Sequence, residues 1–152
     1  MRALDTNVLV YALIANSPHH KVAGALLRAL AEGERPWAIP WPCIYELLRI
    51  ITHPRVYHPP MPLERARRDV AAILDAPDLM LLAETARHRA VLDEVLAQSG
   101  AAGNLVHDAH IAALCLEHGV SELITGDRDF LRFAGLKISN PFALAARQPR
   151  SR

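Results

Sequence analysis

Cysteine is almost absent from this 152-residue chain, which carries only Cys43 and Cys115. Two thiols so far apart cannot build a disulfide framework, and they lack the spacing of a zinc site. Both are expected in or near the core. No run approaches the ~18 consecutive apolar residues of a membrane span, so no membrane partner is expected. Met1-Arg2 leads straight into a short strand-like segment, without the longer apolar stretch and cleavage site of a signal peptide. A cytoplasmic location is the expectation. An excess of one charge is also lacking. The formal net charge is +1, far from the basic balance of a protein that grips nucleic acid by surface charge alone. Any nucleic-acid contact has to come from a local patch. Internal repeats and low-complexity tracts are missing too.

What the chain does have is apolar residues, at 51%, in a length that suits one domain with a sizeable core. Residues 2–4 read as a short buried strand, followed by "TNVLVYALI" as a helix that Thr6 or Asn7 can cap. A second helix is expected from Ser17 as N-cap, with Pro18 in its first turn, to Gly33 as its stop. Residues 36–40 form a strand bracketed by prolines, and Pro40 and Pro42 lead into the helix "CIYELLRIIT". Four prolines between residues 54 and 62 exclude a regular element there. The rest reads as helix 63–76, strand 78–82, helix 85–100, helix 105–119, strand 121–125, a short helical turn at "DRDFLRF" and a last strand at 135–139. Short apolar strands alternating with helices predict an α/β fold in three layers. A central, mostly parallel sheet of four to five strands lies between helices. Residues 147–152 hold three arginines and read as a basic flexible tail.

Four acids stand out: Asp5, Glu46, Asp108 and Asp127. Asp5 follows the first strand and Asp127 the fourth, so both emerge at the carboxyl edge of a parallel sheet, where such folds bind ligands. Ile44, Leu47, Leu48 and Ile51 make an apolar helical stripe. Glu46 lies about 200° around the helix from Ile44, so it points away from that stripe. Asp108 has Ile111, Ala112 and Cys115 on its own face and lies in the first turn of its helix, where the helix dipole favours a negative charge. Asp127 and Asp129 flank Arg128. Both cannot cap the same turn, so Asp127 is assigned to the site and Asp129 to local structure or to a secondary place in the site. Carboxylates gathered in one place call for a cation, and a hard divalent ion on oxygen ligands commonly serves phosphoryl chemistry.

"DTNVLVY", a mid-chain Glu, "HDAHIAALCLEHG" and "LITGDRDF", in that order, resemble the PIN-domain ribonucleases, and in particular the VapC-type toxins of bacterial toxin–antitoxin pairs. The stretch "AIPWPCIYELLRIITHPRVYHPPMP" resembles a subgroup of those toxins. The likeness runs from residue 2 to about residue 142. It implies a PIN-like nuclease domain over residues 1–146 and an acidic quartet of Asp5, Glu46, Asp108 and Asp127, supported by Asn7 and Thr125 with Asp129 as a fifth acid. It also implies a Mg²⁺- or Mn²⁺-dependent endoribonuclease that dimerises and is inhibited by a cognate VapB-like antitoxin. Asp5 and Asp108 are the expected direct ligands, with Asp127 completing the site directly or through water. Glu46 is either ligand or base, and one ion or two remains open.

Weaker signals surround the quartet. Arg49, Arg55, Arg128 and His107 are candidate RNA contacts. Trp37, Trp41 and Tyr45 can stack on unpaired bases, with at least one Trp expected in the core. His107 and His110 are spaced to share a metal, but no third nitrogen or sulfur ligand is evident. "ALLRALAEG" and "AAILDAPDLMLL" are apolar enough for a dimer interface. Two other readings compete. A metal-dependent phosphatase of the haloacid-dehalogenase kind also places Asp after its first strand. It wants a second Asp two residues on, where this chain has Asn7, and a later lysine, whereas the two lysines are Lys21 and Lys137. A non-catalytic RNA-binding module of the same fold would not need a complete quartet.

Overall fold

A computed structural model describes residues 1–143. The proposed tail at 147–152 and its boundary at 146 lie outside the described residues. The chain runs β1 (Arg2–Leu4), α1 (Thr6–Leu13), α2 (His20–Ala31), β2 (Trp37–Pro40), α3 (Trp41–Ile51), α4 (Leu63–Leu74), β3 (Leu79–Leu82), α5 (His88–Ser99), α6 (Leu105–Glu117), β4 (Glu122–Ile124), a 3₁₀ turn (Arg128–Arg132) and β5 (Lys137–Ser139). The five strands form one sheet in the order β3-β2-β1-β4-β5. Every pairing is parallel, so the mostly parallel sheet expected from the sequence is wholly parallel among the described residues.

Burial explains the strand composition. The central strands are covered on both faces, and their residues read as continuous apolar runs rather than as an alternation. All four residues of β2 are buried, as are Ala3 and Leu4 of β1 and Leu123 and Ile124 of β4. The outer strands β3 and β5 are more open. Helix α1 packs on both α2 and α3, α3 packs on α4, and α5 packs on α6. Leu4, Leu9, Ile39, Ile44, Leu47, Leu114 and Leu123 meet in the resulting core.

Four helix starts differ from the sequence reading, and one of them is α3, which begins at Trp41 with Pro42 inside its first turn rather than at Cys43. The cap of α1 is Asp5, whose side chain accepts a bond from the Thr6 amide, rather than Thr6 or Asn7. Helix α2 begins at His20, not beside Ser17. Ser17 instead closes a turn, its hydroxyl accepting from the His19 amide at 3.2 Å and its carbonyl from the His20 amide. Helix α5 begins at His88 because the Thr85 amide and hydroxyl are both committed to Glu117, at 3.1 and 2.8 Å. Its end agrees with expectation: Gly100, at φ 67°, adopts the left-handed geometry that glycine tolerates best.

Among the described residues no helix is long and apolar enough to cross a membrane. Leu123 on β4 is fully buried, whereas Leu131 on the 3₁₀ turn is 65% exposed. Leu123→Ala is expected to cost about 2–5 kcal/mol, and Leu131→Ala to stay within about 0.5 kcal/mol of wild type. Urea unfolding of the two variants measures this, and equal losses would contradict the placement of the core.

Candidate active site

The carboxyl ends of β1 and β4 lie side by side, with Leu4 paired to Ile124. The next residue on each strand therefore comes to the same edge: Asp5 on one and Thr125 on the other. Asp5 is 4% exposed, a position where a carboxylate is costly unless fully hydrogen-bonded. It has four donors. Oδ1 accepts from the Thr6 amide at 2.8 Å and, more weakly, from the Cys43 thiol at 3.6 Å. Oδ2 accepts from the Asn7 amide group at 3.0 Å and the Thr125 hydroxyl at 2.7 Å. Burial still wins and holds the Asp5 carboxyl above its ordinary range, with the Glu46 charge adding to it, while the bonds from Thr125, Thr6 and Cys43 pull it back.

The supporting residues are equally committed. The Thr125 hydroxyl donates to Asp5 and accepts from the Asn7 amide group and the Asp127 backbone amide, both at 3.0 Å. The Asn7 carbonyl oxygen accepts from the Gly126 amide at 2.9 Å. A side chain at 126 would fall 3.0 Å from the Phe142 ring and 3.5 Å from Asn7 Oδ1, which explains glycine at the centre of this turn. Asp127 then caps the 3₁₀ turn by accepting from the Asp129 amide at 2.8 Å. Capping and a place in the acidic group, set against each other as alternatives for Asp127 and Asp129, are thus combined in Asp127.

Asp108 comes to the same edge from the first turn of α6. Asp108, Asp127 and Asp129 each offer a carboxylate oxygen, and these three atoms lie within 4.8 Å of one another. Asp129 is exposed and joins the group rather than serving local structure alone. The Asp108 carboxyl is pushed up to about 6, first by burial and then by the charges of Asp127, Asp5, Asp129 and Glu46. Four acids therefore act on Asp108, and Glu46 also acts on Asp5. Glu46 sits one turn into α3, its carboxylate accepting the Thr6 hydroxyl at 3.1 Å and lying 3.7 Å from Arg49.

Glu46 and Asp108 face a common cleft of about 820 Å³, whose wall includes Trp41, Tyr45, Arg49 and His107. Of the candidate RNA contacts, Arg49 and His107 therefore line the cleft. Arg55, in the proline-rich loop, and exposed Arg128, on the 3₁₀ turn, are not among its lining residues. The aromatics divide. Trp37 is fully buried with its indole N–H bonded to the Pro77 carbonyl, whereas Trp41 and Tyr45 stack at 5.9 Å between ring centroids, with Tyr45 65% exposed. Cys43 and Cys115 are both fully buried, as expected. The contact from Cys43 to Asp5 went unread in the sequence, although Cys43 precedes Glu46 by one helical turn.

The family model of the PIN domain matches residues 2–136. The chain belongs to the PIN domain family. Among relatives of this PIN domain, Ribonuclease VapC37 of Mycobacterium tuberculosis (strain ATCC 25618 / H37Rv) is 37% identical over 144 residues, covering 95% of this chain and 99% of that protein. Ribonuclease VapC48 of Mycobacterium tuberculosis (strain CDC 1551 / Oshkosh) is 32% identical over 139 residues, covering 91% and 96%. In fold the PIN domain is similar to VapBC2 from Rickettsia felis, solved bound to a promoter DNA fragment. The TM-score is 0.67 at 23% identity, covering 91% of this chain and 97% of that one.

The raised Asp108 carboxyl has a consequence for stability. Its ordinary value is 3.8 and its folded value about 6, so between those limits the folded chain holds a proton that the unfolded chain has lost. This contribution to stability is complete below pH 3.8 and is lost as pH rises through about 6. Asp108→Asn removes one repelling charge at constant shape. Without divalent ions at pH 7.5, the variant is expected to melt above wild type. Asp108 is partly exposed, so screening holds the gain to on the order of 1 kcal/mol, or about 2–4 °C. Thermal unfolding between pH 4 and 8 decides. A metal-free variant melting below wild type would make Asp108 a stabilising helix acid instead.

Proposed function

We propose that this chain is a Mg²⁺- or Mn²⁺-dependent endoribonuclease, the toxin of a type II toxin–antitoxin pair, acting in the cytoplasm on RNA phosphodiester bonds. The observation that carries the reading is the convergence of Asp5, Glu46, Asp108 and Asp127 on one sheet edge, where the Asp108 carboxyl is pushed up to about 6 by burial and by its acidic neighbours. Two relatives that align over nearly the whole chain bear the name ribonuclease.

The donor set suits a hard divalent ion, which prefers several oxygen ligands and keeps part of its water shell. Asp108 and Asp127 would hold it, with Asp129 beside them. Asp5 would join by giving up one of its four donors, the thiol of Cys43 being the longest at 3.6 Å. The ion, when bound, supplies charge to polarise the phosphate and to lower the pKa of a water. Glu46 has one oxygen anchored by Thr6 and the other lying loosely, 3.7 Å from Arg49. Placed there, it orients the attacking water and takes its proton. Arg49 and His107 bind phosphates in the cleft, and Arg55 and Arg128 bind the backbone beyond it. Tyr45, backed by Trp41, offers a stacking face for an unpaired base.

The phosphatase reading loses support at Asn7. The second acid of that chemistry has to exchange a proton, but the Asn7 side chain is fully engaged with Asp5, Thr125 and Gly126. The apolar stretches flagged for dimerisation meet at a groove lined by Gly24, Ala25 and Leu27 of α2 and Ala72 and Ile73 of α4. We assign the homodimer contact to that groove.

Asp5→Asn and Asp108→Asn are each expected to lower Mg²⁺-dependent RNA cleavage by about 10²-fold or more, since each loses part of a charge stabilisation worth several kcal/mol. Both should relieve growth arrest on expression. Wild-type rates in either variant would overturn the site.

The partner follows from charge. An open acidic cleft invites a basic side chain, so the cognate VapB-like antitoxin is expected to cover it and set an Arg or Lys against the carboxylates. A structure of the complex with the cleft open and the antitoxin seated elsewhere would refute this.

A further inference from the structure

A second constellation lies where β3 leads into α5 and faces α6. Glu84, His88 and His110 each offer one ligand atom, and the three atoms lie within 4.8 Å of one another. The rings of His88 and His110 meet edge to face, 5.3 Å between centroids. His110 Nε2 lies 2.8 Å from Glu84 Oε1. His88 Nδ1 lies 2.7 Å from Glu117 Oε2.

Glu117 is the telling residue. Its side chain has no exposure, and its position is over-determined. Oε1 accepts from both the amide and the hydroxyl of Thr85, and the Glu117 carbonyl accepts from the Arg87 guanidinium at 2.6 Å. A buried carboxylate fixed in this way accepts the Nδ1 proton of His88, which leaves Nε2 with its lone pair. Metal-binding histidines are commonly prepared in this manner, with a carboxylate behind the ring setting tautomer and orientation. Two imidazoles and one carboxylate, with a fourth position left to water, form a known Zn²⁺ donor set.

We propose that Glu84, His88 and His110 form a Zn²⁺-class site in which Glu117 orients His88, separate from the carboxylate group of Asp108, Asp127 and Asp129. The donors are softer than that all-oxygen group, so the two sites sort ions by chemistry: imidazole favours Zn²⁺, and carboxylates favour Mg²⁺ and Mn²⁺. Bonds of about 2.0–2.2 Å at tetrahedral angles bring ligand atoms to about 3.4 Å apart. The closing movement falls to Glu84, whose side chain is 53% exposed, and to His110, at 31%, while His88 stays fixed. Glu84 and His110 also line the cleft that Glu46 and Asp108 face. An ion here replaces the negative charge of Glu84 with a positive one on the cleft wall and ties the start of α5 to α6. The site stands whether or not the cleft cuts RNA.

The test is a Co²⁺ titration of the whole chain in saturating Mg²⁺, read by the visible d–d absorption of low-coordinate Co²⁺. One equivalent is expected to bind and to be displaced by Zn²⁺. His110→Ala and His88→Ala should lose the band, and Glu117→Gln should weaken binding by about 10–100-fold. An Asp108→Asn/Asp127→Asn double variant should keep the band. Zn²⁺ should raise the melting temperature of wild type but not of His110→Ala, whose partly exposed side chain makes that variant the safest for folding. No band in wild type, a band that survives His110→Ala, or one that vanishes in the double aspartate variant would overturn the proposal. The last result would assign the cobalt to the carboxylate group.

Discussion

The buried carboxylate of Asp5 is the interaction on which the rest of the site depends. A negative charge at a position only 4% exposed persists because four donors from three parts of the chain converge on it. Each donor fixes something else. Thr6 starts α1 and holds Glu46. Asn7 reaches across to Gly126. Thr125 holds the amide of Asp127, and Cys43 anchors α3 beneath Glu46. Removing such a group from a buried network costs more than the bond itself, because its partners are left unsatisfied. The geometry of the outer acids is therefore inherited from the inner one.

This division gives the carboxylates unequal tasks. Asp5 has its oxygens spoken for and serves first as a scaffold with a charge. Asp108, Asp127 and Asp129 are more open and close enough together to repel. Repulsion between ions is weak in water and several-fold stronger near a protein surface, and it adds to burial in the upward shift of Asp108. Elsewhere a fixed carboxylate creates the opposite situation. Burial of Glu117 would raise its carboxyl, but bonds from His88 and Thr85 outweigh that and hold it below the ordinary range.

Much of this was legible in the sequence where local pattern and topology coincide. Prolines on both sides of 36–40 marked β2, and an acid directly after each of two apolar strands pointed to one sheet edge. The motif around Asp108 placed that residue in the first turn of its helix. What stayed hidden depended on long-range partners. Nothing in the local sequence says that Thr85 turns away from helix because Glu117 takes its hydrogen bonds, nor that His88 and His110 meet. Those pairings join residues about thirty positions apart or fewer, with no periodic pattern between them. The histidine motif was noticed, but His107 was paired with His110 by spacing when the fold pairs His110 with His88. Of the four candidate RNA contacts, Arg55 and Arg128 are not among the residues that line the cleft, a separation set by the loop and the turn that local sequence does not display.

The bond from Thr125 to Asp5 spans 120 residues, which has a meaning for the order in which the molecule comes into being. Local helices can form as the chain emerges, but this contact needs closure of a 120-residue separation, and such non-local closure comes late in folding. Until the β4 turn has left the ribosome, Asp5 lacks its strongest donor, Asp127 has no place, and Asp108 lacks Asp127 and Asp129 as neighbours. The acidic edge therefore assembles only once β4 and the turn after it have joined the sheet.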